Sequence, residues 1–176
     1  RPKKLVRLSV MLFGTRDRCI TPAPGLPTSP DQVKLADATP VYARTHVEAG
    51  FSVHAQAILD AVTPRTRGII VNSPGNPTGA LISEGELRTL AEFAARQNLW
   101  LVVDLCYEKL IYDPVPHNLP KVLAESCPEK AVICGSASKA YAMTGWRCGW
   151  PVGPKAVTAA CAASQSHAAW DAPPMT

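Results

Sequence analysis

A lysine set among small and hydroxyl residues carries the clearest chemical signal in this sequence. The stretch Gly135-Ser136-Ala137-Ser138-Lys139-Ala140-Tyr141 runs on through Gly145-Trp146-Arg147-Cys148-Gly149, so an arginine follows the lysine by eight positions. A serine hydroxyl and a guanidinium can clamp a phosphate, and a lysine crowded by that arginine gives up its proton more readily and becomes nucleophilic. Ser136 and Arg147 are the phosphate candidates. Ser138 either joins them or caps the turn that follows. Taken alone, the stretch also reads as a basic, glycine-containing loop beside a helix.

Further candidates lie upstream, each just beyond an apolar run. Asn76 stands in Asn72-Ser73-Pro74-Gly75-Asn76-Pro77-Thr78-Gly79, a loop by composition, and Asp104 and Tyr107 follow Trp100 to Val103. Individually, Asn76 reads as a turn residue, Asp104 as a strand-end acid and Tyr107 as a boundary aromatic. Their common position is what gives them weight.

The elements that must position them follow from the pattern. Gly68 to Val71, Trp100 to Val103 and Ala131 to Cys134 are short, unalternating apolar runs, as expected of strands buried on both faces of a parallel sheet. Helical spacing of apolar residues predicts helices over Phe51 to Val62 and from Ser83 along the Leu87, Leu90, Ala91, Ala94 face. The Ser83-Glu84-Gly85-Glu86 capping box starts the second of these. Further helices are expected from Leu119 to Glu125 and Lys155 to Ser164, and a strand over Thr39 to Arg44. Ser29-Pro30-Asp31-Gln32 reads as another capping box, opening a short helix through Leu35. Residues 1–25 show little periodicity, and the Pro-rich run Thr21 to Pro30 argues against regular structure there. Strands alternating with helices imply an α/β fold with a mostly parallel sheet. In such sheets ligands bind at the carboxyl ends of the strands, where Asn76, Asp104, Tyr107, Ser136 and Lys139 all fall.

Composition limits the alternatives. The chain has 176 residues, 47% hydrophobic and 18% charged, which suits a globular unit able to bury a core. No apolar run approaches the length of a membrane span. Leu8 to Phe13 behind a basic start faintly resembles a signal peptide, but it is short and no small-residue cleavage site follows. The net charge of +4 is concentrated before residue 19, against a nucleic-acid partner. The six cysteines show no C-x-x-C pairing and no histidines at zinc spacing, so no metal is expected and reduced thiols of a cytoplasmic protein are the simplest reading.

Asn76-Pro77-Thr78-Gly79, Asp104-Leu105-Cys106-Tyr107 and the Ser136-Ala137-Ser138-Lys139 run ending in Arg147 together resemble the class I/II aminotransferases, pyridoxal 5'-phosphate enzymes of fold type I. The full Asn-Ser-Pro-Gly-Asn-Pro-Thr-Gly and Ala-Met-Thr-Gly-Trp-Arg motifs resemble most the bacterial aspartate and broad-specificity subgroup. The likeness runs from about Asp31 to Ser166. It implies a three-layer α/β/α architecture, with this chain as the central portion of the large domain. It also implies transamination between an L-amino acid and a 2-oxo acid in a homodimeric parent. Lyases and synthases of the same fold, or a remnant that binds the cofactor without turnover, are the alternatives.

The resemblance also assigns roles. Lys139 would hold the cofactor as a Schiff base and then move a proton at the substrate α-carbon, which requires it to be neutral for part of the cycle. Asp104 would pair with the pyridine nitrogen. Asn76 and Tyr107 would hydrogen-bond the phenolic oxygen, with Asn76-Pro77 a candidate cis peptide. Ser136, Ser138 and Arg147 would bind the phosphate, while Gly145 and Gly149 read as close-packing positions. Where family members carry an aromatic that stacks on the cofactor ring, this sequence has Pro24-Gly25-Leu26. The expected organisation is a divergent basic, Pro-rich segment over 1–25, a partial cofactor-binding domain over 26–168 and a divergent tail over 169–176. Unfamiliar flanks around a familiar core are what a truncated or frame-shifted product would show.

Overall fold

The computed structural model describes residues 3–113 and 115–166; the expected tail over 169–176 lies outside them. Six strands form one sheet: β1 (Arg18–Ala23), β2 (Thr39–Arg44), β3 (Thr66–Asn72), β4 (Trp100–Asp104), β5 (Ala131–Ser136) and β6 (Gly149–Val152). Their order is β2-β1-β3-β4-β5-β6, and every pairing is parallel except the antiparallel β5–β6 pair. This is the mostly parallel sheet that the apolar runs imply.

The central strands are apolar throughout because both faces are covered. Ile69, Val71, Leu101 and Val103 face one layer, built on α3 (Ala55–Leu59), α4 (Glu84–Arg96) and α5 (Leu119–Ser126). Ile70, Val102 and Val132 face the other, with residues of α1 (Lys3–Leu12), α2 (Thr28–Leu35) and α7 (Lys155–Ser166). Period-two alternation along each strand thus feeds two cores. On α4, the fully buried Leu87, Leu90, Ala91 and Ala94 form the apolar stripe expected of that helix.

Both edge strands carry a proline, Pro40 in β2 and Pro151 in β6, where a missing N–H costs no ladder bond on the open side. The same logic explains β1, which falls in a segment expected to be irregular. Pairing of β1 with β3 ends at Ile20, so Pro22 extends only along β2. Residues 3–12, also without a sequence-level assignment, form α1, whose Leu8 is buried against the sheet. Beyond its end, the Phe13 ring covers Gly68 so closely that a Cβ there would meet it at 2.4 Å. No helix among the described residues is long and apolar enough to cross a membrane.

Two helix starts differ from expectation. α2 begins at Thr28 with Pro27 at its N-cap and no side-chain cap; Ser29 lies buried inside the first turn. Gln32 is buried and its Oε1 has no partner, so it closes no capping box. The helix expected over Phe51 to Val62 is confined to Ala55–Leu59, because Phe51 takes a left-handed φ of 58° and His54 is extended. The box at Ser83 forms on one side only: Ser83 Oγ accepts from the Glu86 amide at 3.2 Å. The Glu86 carboxylate instead reaches across to α3, accepting from the Ala55 amide and meeting His54 Nδ1 at 3.2 Å.

Candidate functional site

Strand pairing gathers the candidate residues at one end of the sheet. Asn72 and Asp104 are register partners at the ends of β3 and β4, and Asp104 is opposite Cys134 on β5. The loop after β3 is locked by its own polar groups. Asn72 Nδ2 donates to the Asp104 carbonyl at 3.0 Å, Asn72 Oδ1 accepts from the Asn76 amide at 2.9 Å, and the buried Ser73 Oγ accepts from the Ile82 amide at 3.1 Å. Asn76-Pro77 is cis, as the resemblance implies, and so is Ser73-Pro74.

This loop brings Asn76 to Tyr107, with Asn76 Nδ2 donating to the phenol oxygen at 3.1 Å. Burial pushes the Tyr107 phenol up, and the Asn76 amide partly offsets it. Beside the pair opens a cavity of about 470 Å³, walled mainly by Pro77, Leu81, Leu110, Ile111 and Val115.

Asp104 is only 8% exposed. Its Oδ1 accepts from the Cys106 amide at 3.0 Å. Burial nevertheless raises its pKa above the ordinary 3.8, against the lowering effect of Cys106. Cys106 links this acid to the lysine loop. Burial and the Asp104 charge push its thiol up, while Lys139 acts on it in the opposite direction. Lys139 is thus within electrostatic reach of the Asp104 neighbourhood.

Lys139 lies exposed on α6 (Ala137–Ala140), a single turn entered directly from β5. Ser136 is the N-cap of that turn: its Oγ accepts from the Ser138 amide at 3.1 Å and donates to the Cys148 carbonyl at 3.3 Å. The Ala137 amide donates to the same carbonyl at 3.1 Å, so the returning loop is tied to the start of α6. Ser136, rather than Ser138, supplies the capping oxygen. Arg147 takes a left-handed φ of 55° and donates from Nη1 to the Thr144 carbonyl at 2.8 Å within its own loop.

The two glycines of the loop differ. A Cβ on Gly149 would sit 2.8 Å from the Gly135 carbonyl oxygen, which accounts for glycine there. At Gly145 nothing lies within 4 Å of such a Cβ, so the close-packing reading fails at that position. A further packing requirement falls on Gly135, where a Cβ would meet the Trp150 indole at 2.2 Å.

Sequence reasoning missed Asn72 and Cys106. Asn72 ends an apolar run with a polar residue that can bond in both directions, which was the available signal. Cys106 gave none, since a thiol two places after an acid has no fixed meaning until the chain turns back on itself.

The family model for aminotransferase class I and II matches residues 4–173, reaching well upstream of the Asp31 to Ser166 span in which the motifs were legible. The probable aspartate/prephenate aminotransferase of Thermus aquaticus is 43% identical over 158 residues, which are 90% of this chain and 40% of that protein. Among solved structures, a single mutant of Thermus thermophilus aspartate aminotransferase superposes with a TM-score of 0.89 at 34% identity, covering 97% of this chain and 44% of that one. The aromatic aminotransferase of Pyrococcus horikoshii gives 0.83 at 30% identity over 93% of this chain and 43% of that one. The chain spans less than half the length of these relatives. Its fold is that of the fold type I aspartate aminotransferases. By the extent of the family match, this chain belongs to the class I and II aminotransferases, which depend on pyridoxal phosphate.

Proposed function

We propose that this protein transfers an amino group between an L-amino acid and a 2-oxo acid, with aspartate-like or broad specificity. The observation that carries the reading is the convergence of an Asn76–Tyr107 pair, a buried Asp104 and an exposed Lys139 at the carboxyl ends of three adjacent strands.

The donor set fits pyridoxal phosphate. Asp104 is buried with neutral donors, and its raised pKa marks a carboxylate lacking full charge compensation, which a protonated ring nitrogen supplies. The Asn76 amide and Tyr107 hydroxyl form a paired donor set for the ring's phenolic oxygen. Ser136, Ser138 and Arg147 supply hydroxyl and guanidinium groups for the phosphate. When bound, the cofactor supplies an electron sink for negative charge at the substrate α-carbon.

The residues then have distinct tasks. Lys139 Nζ would hold the cofactor and serve as the base that takes and returns the proton at the substrate α-carbon. Asp104 would keep the ring nitrogen protonated. Asn76 and Tyr107 would orient the ring through its phenolic oxygen. Residues 26–168 serve as the cofactor-binding unit, with the amino acid and the 2-oxo acid as small-molecule partners and a homodimer as the state of the full-length parent. Six cysteines with no disulfide among the described residues support a reducing, cytoplasmic setting.

Borohydride reduction in the presence of the cofactor, followed by peptide mapping, tests the assignment. Labelling at Lys139, lost in Lys139→Ala with the melting temperature unchanged, is expected. Labelling at another lysine, or none in a folded sample, overturns it.

A further inference from the structure

We propose that Asn72 is a positioning residue for the site: its one side-chain amide grips the Asp104 carbonyl and the Asn76 amide together, and so sets where Asn76 stands relative to Asp104. The proposal rests on the reading that Asp104 meets the cofactor's ring nitrogen and Asn76 its phenolic oxygen. It gives a task to a residue outside those contacts.

Asn72 closes β3 opposite Asp104, the last residue of β4. Its Nδ2 donates to the Asp104 carbonyl at 3.0 Å, and its Oδ1 accepts from the Asn76 amide at 2.9 Å. Donor and acceptor ends of a planar amide are thus both engaged, which fixes its orientation. The Asn76 side chain in turn donates from Nδ2 to the Tyr107 hydroxyl at 3.1 Å. Asp104 and Asn76 would address different atoms of one rigid ring, so their separation has little tolerance.

The strands and the base of the loop are held by other bonds. The Asp104 carbonyl also accepts from the Ser73 amide at 3.0 Å, which ties β3 to β4 without Asn72. The Ile82 amide donates to Ser73 Oγ at 3.1 Å, and the Gly75 amide to the Ala80 carbonyl at 2.8 Å. Removing the Asn72 side chain therefore releases Asn76 and leaves the loop's base in place.

The test uses the full chain without cofactor, its tyrosines labelled with carbon-13 at Cζ, whose signal responds to hydrogen bonding at the phenol. Tyr107 is identified by the signal lost in Tyr107→Phe, and Asn76→Ala gives the shift that follows loss of the Asn76–Tyr107 bond. Asn72→Ala, which alters neither group of that bond, should move the signal in the same direction by at least half as much. The double variant should match Asn76→Ala alone, because Asn72 acts through Asn76. Ser83→Ala, which weakens α4 by removing its cap, should leave the signal in place, since a merely structural loss does not reach Tyr107. An unmoved signal in Asn72→Ala, additive shifts in the double variant, or an equal shift in Ser83→Ala overturns the proposal.

Should Asn72→Ala fail to fold, Asn72→Val carries the same reading, being β-branched as strands prefer and without polar side-chain atoms. In the native chain, a scalar coupling across the hydrogen bond from the Asn76 nitrogen to Asn72 Cγ checks the contact itself, and its absence overturns the proposal. Borohydride labelling of Lys139 is read separately. Labelling with an unmoved Tyr107 signal removes the Asn72 role alone, and a moved signal without labelling removes the cofactor assignment alone.

Discussion

Replacing Gly149 by alanine should loosen the strand that closes the lysine loop, whereas the same change at Gly145 should be nearly silent. At Gly149 the added Cβ would lie 2.8 Å from the Gly135 carbonyl oxygen. That oxygen belongs to β5, which is held by β4 on its other side, so it cannot move aside as a flexible side chain could. Relief must come from β6. Overpacking of this kind costs about 1–3 kcal/mol, and for a chain of this size roughly 2–4 °C of melting temperature goes with each kcal/mol. A fall of about 2–12 °C is therefore expected in Gly149→Ala. Shifting β6 also displaces the Cys148 carbonyl, which accepts from both Ser136 Oγ and the Ala137 amide, so the turn bearing Lys139 loses its anchor. Borohydride labelling of Lys139 should drop with it. At Gly145 there is open space and no left-handed φ, so Gly145→Ala should stay within about 0.5 kcal/mol of the native chain. Thermal melts of the two variants side by side decide the matter. Equal melting temperatures would refute the reasoning.

Asp104→Asn should stabilise the cofactor-free chain increasingly as pH rises. A carboxyl whose folded pKa is raised by burial contributes stability that is complete below its unfolded value, ordinarily 3.8, and is lost as pH climbs through the folded value. The melting-temperature gap between Asn variant and native chain should widen from pH 4 to pH 7; a constant gap contradicts the account. Leu90→Ala removes a fully buried side chain between α4 and the sheet and should cost about 2–5 kcal/mol, read from denaturant midpoints. Ser83→Ala deletes the one side-chain cap of α4 and should cost about 1 kcal/mol by the same measurement.

The sheet was legible because its central strands are buried on both faces, and such strands have little choice but to be apolar at every position. Gly68 to Val71, Trp100 to Val103 and Ala131 to Cys134 are of this kind, and their ends were placed within a few residues. What escaped was structure whose local signal is cancelled by something nearby. β1 contains Pro22, harmless there only because its pairing with β3 has already stopped at Ile20, a fact no window of sequence contains. α1 looked like an apolar run behind a basic start. Both capping boxes were over-read for a single reason: the motif states which bonds are possible, and tertiary contacts decide which are made. Glu86 had a better use for its carboxylate on α3, and the start of α2 was set by Pro27.

The candidate residues named from sequence come together in the structure, while how they are held was less legible. Position 76, the 104 and 107 pair, and position 139 are far apart in sequence, and parallel pairing brings the strand ends beside one another, so a reader who finds the strands also finds these candidates side by side. The supporting groups are another matter. Asn72 and Cys106 act by bonding to a neighbouring candidate residue, and their worth depends on backbone turns of two to four residues that composition does not specify. The Gly145 and Gly149 pair makes the same point. Both sit beside chemistry, and only the distance to a carbonyl on another strand separates the glycine that is needed from the one that is tolerated. A candidate site of this type is therefore read from sequence as a set of chemical groups, and its rigidity is a property of the strand ends that carry them.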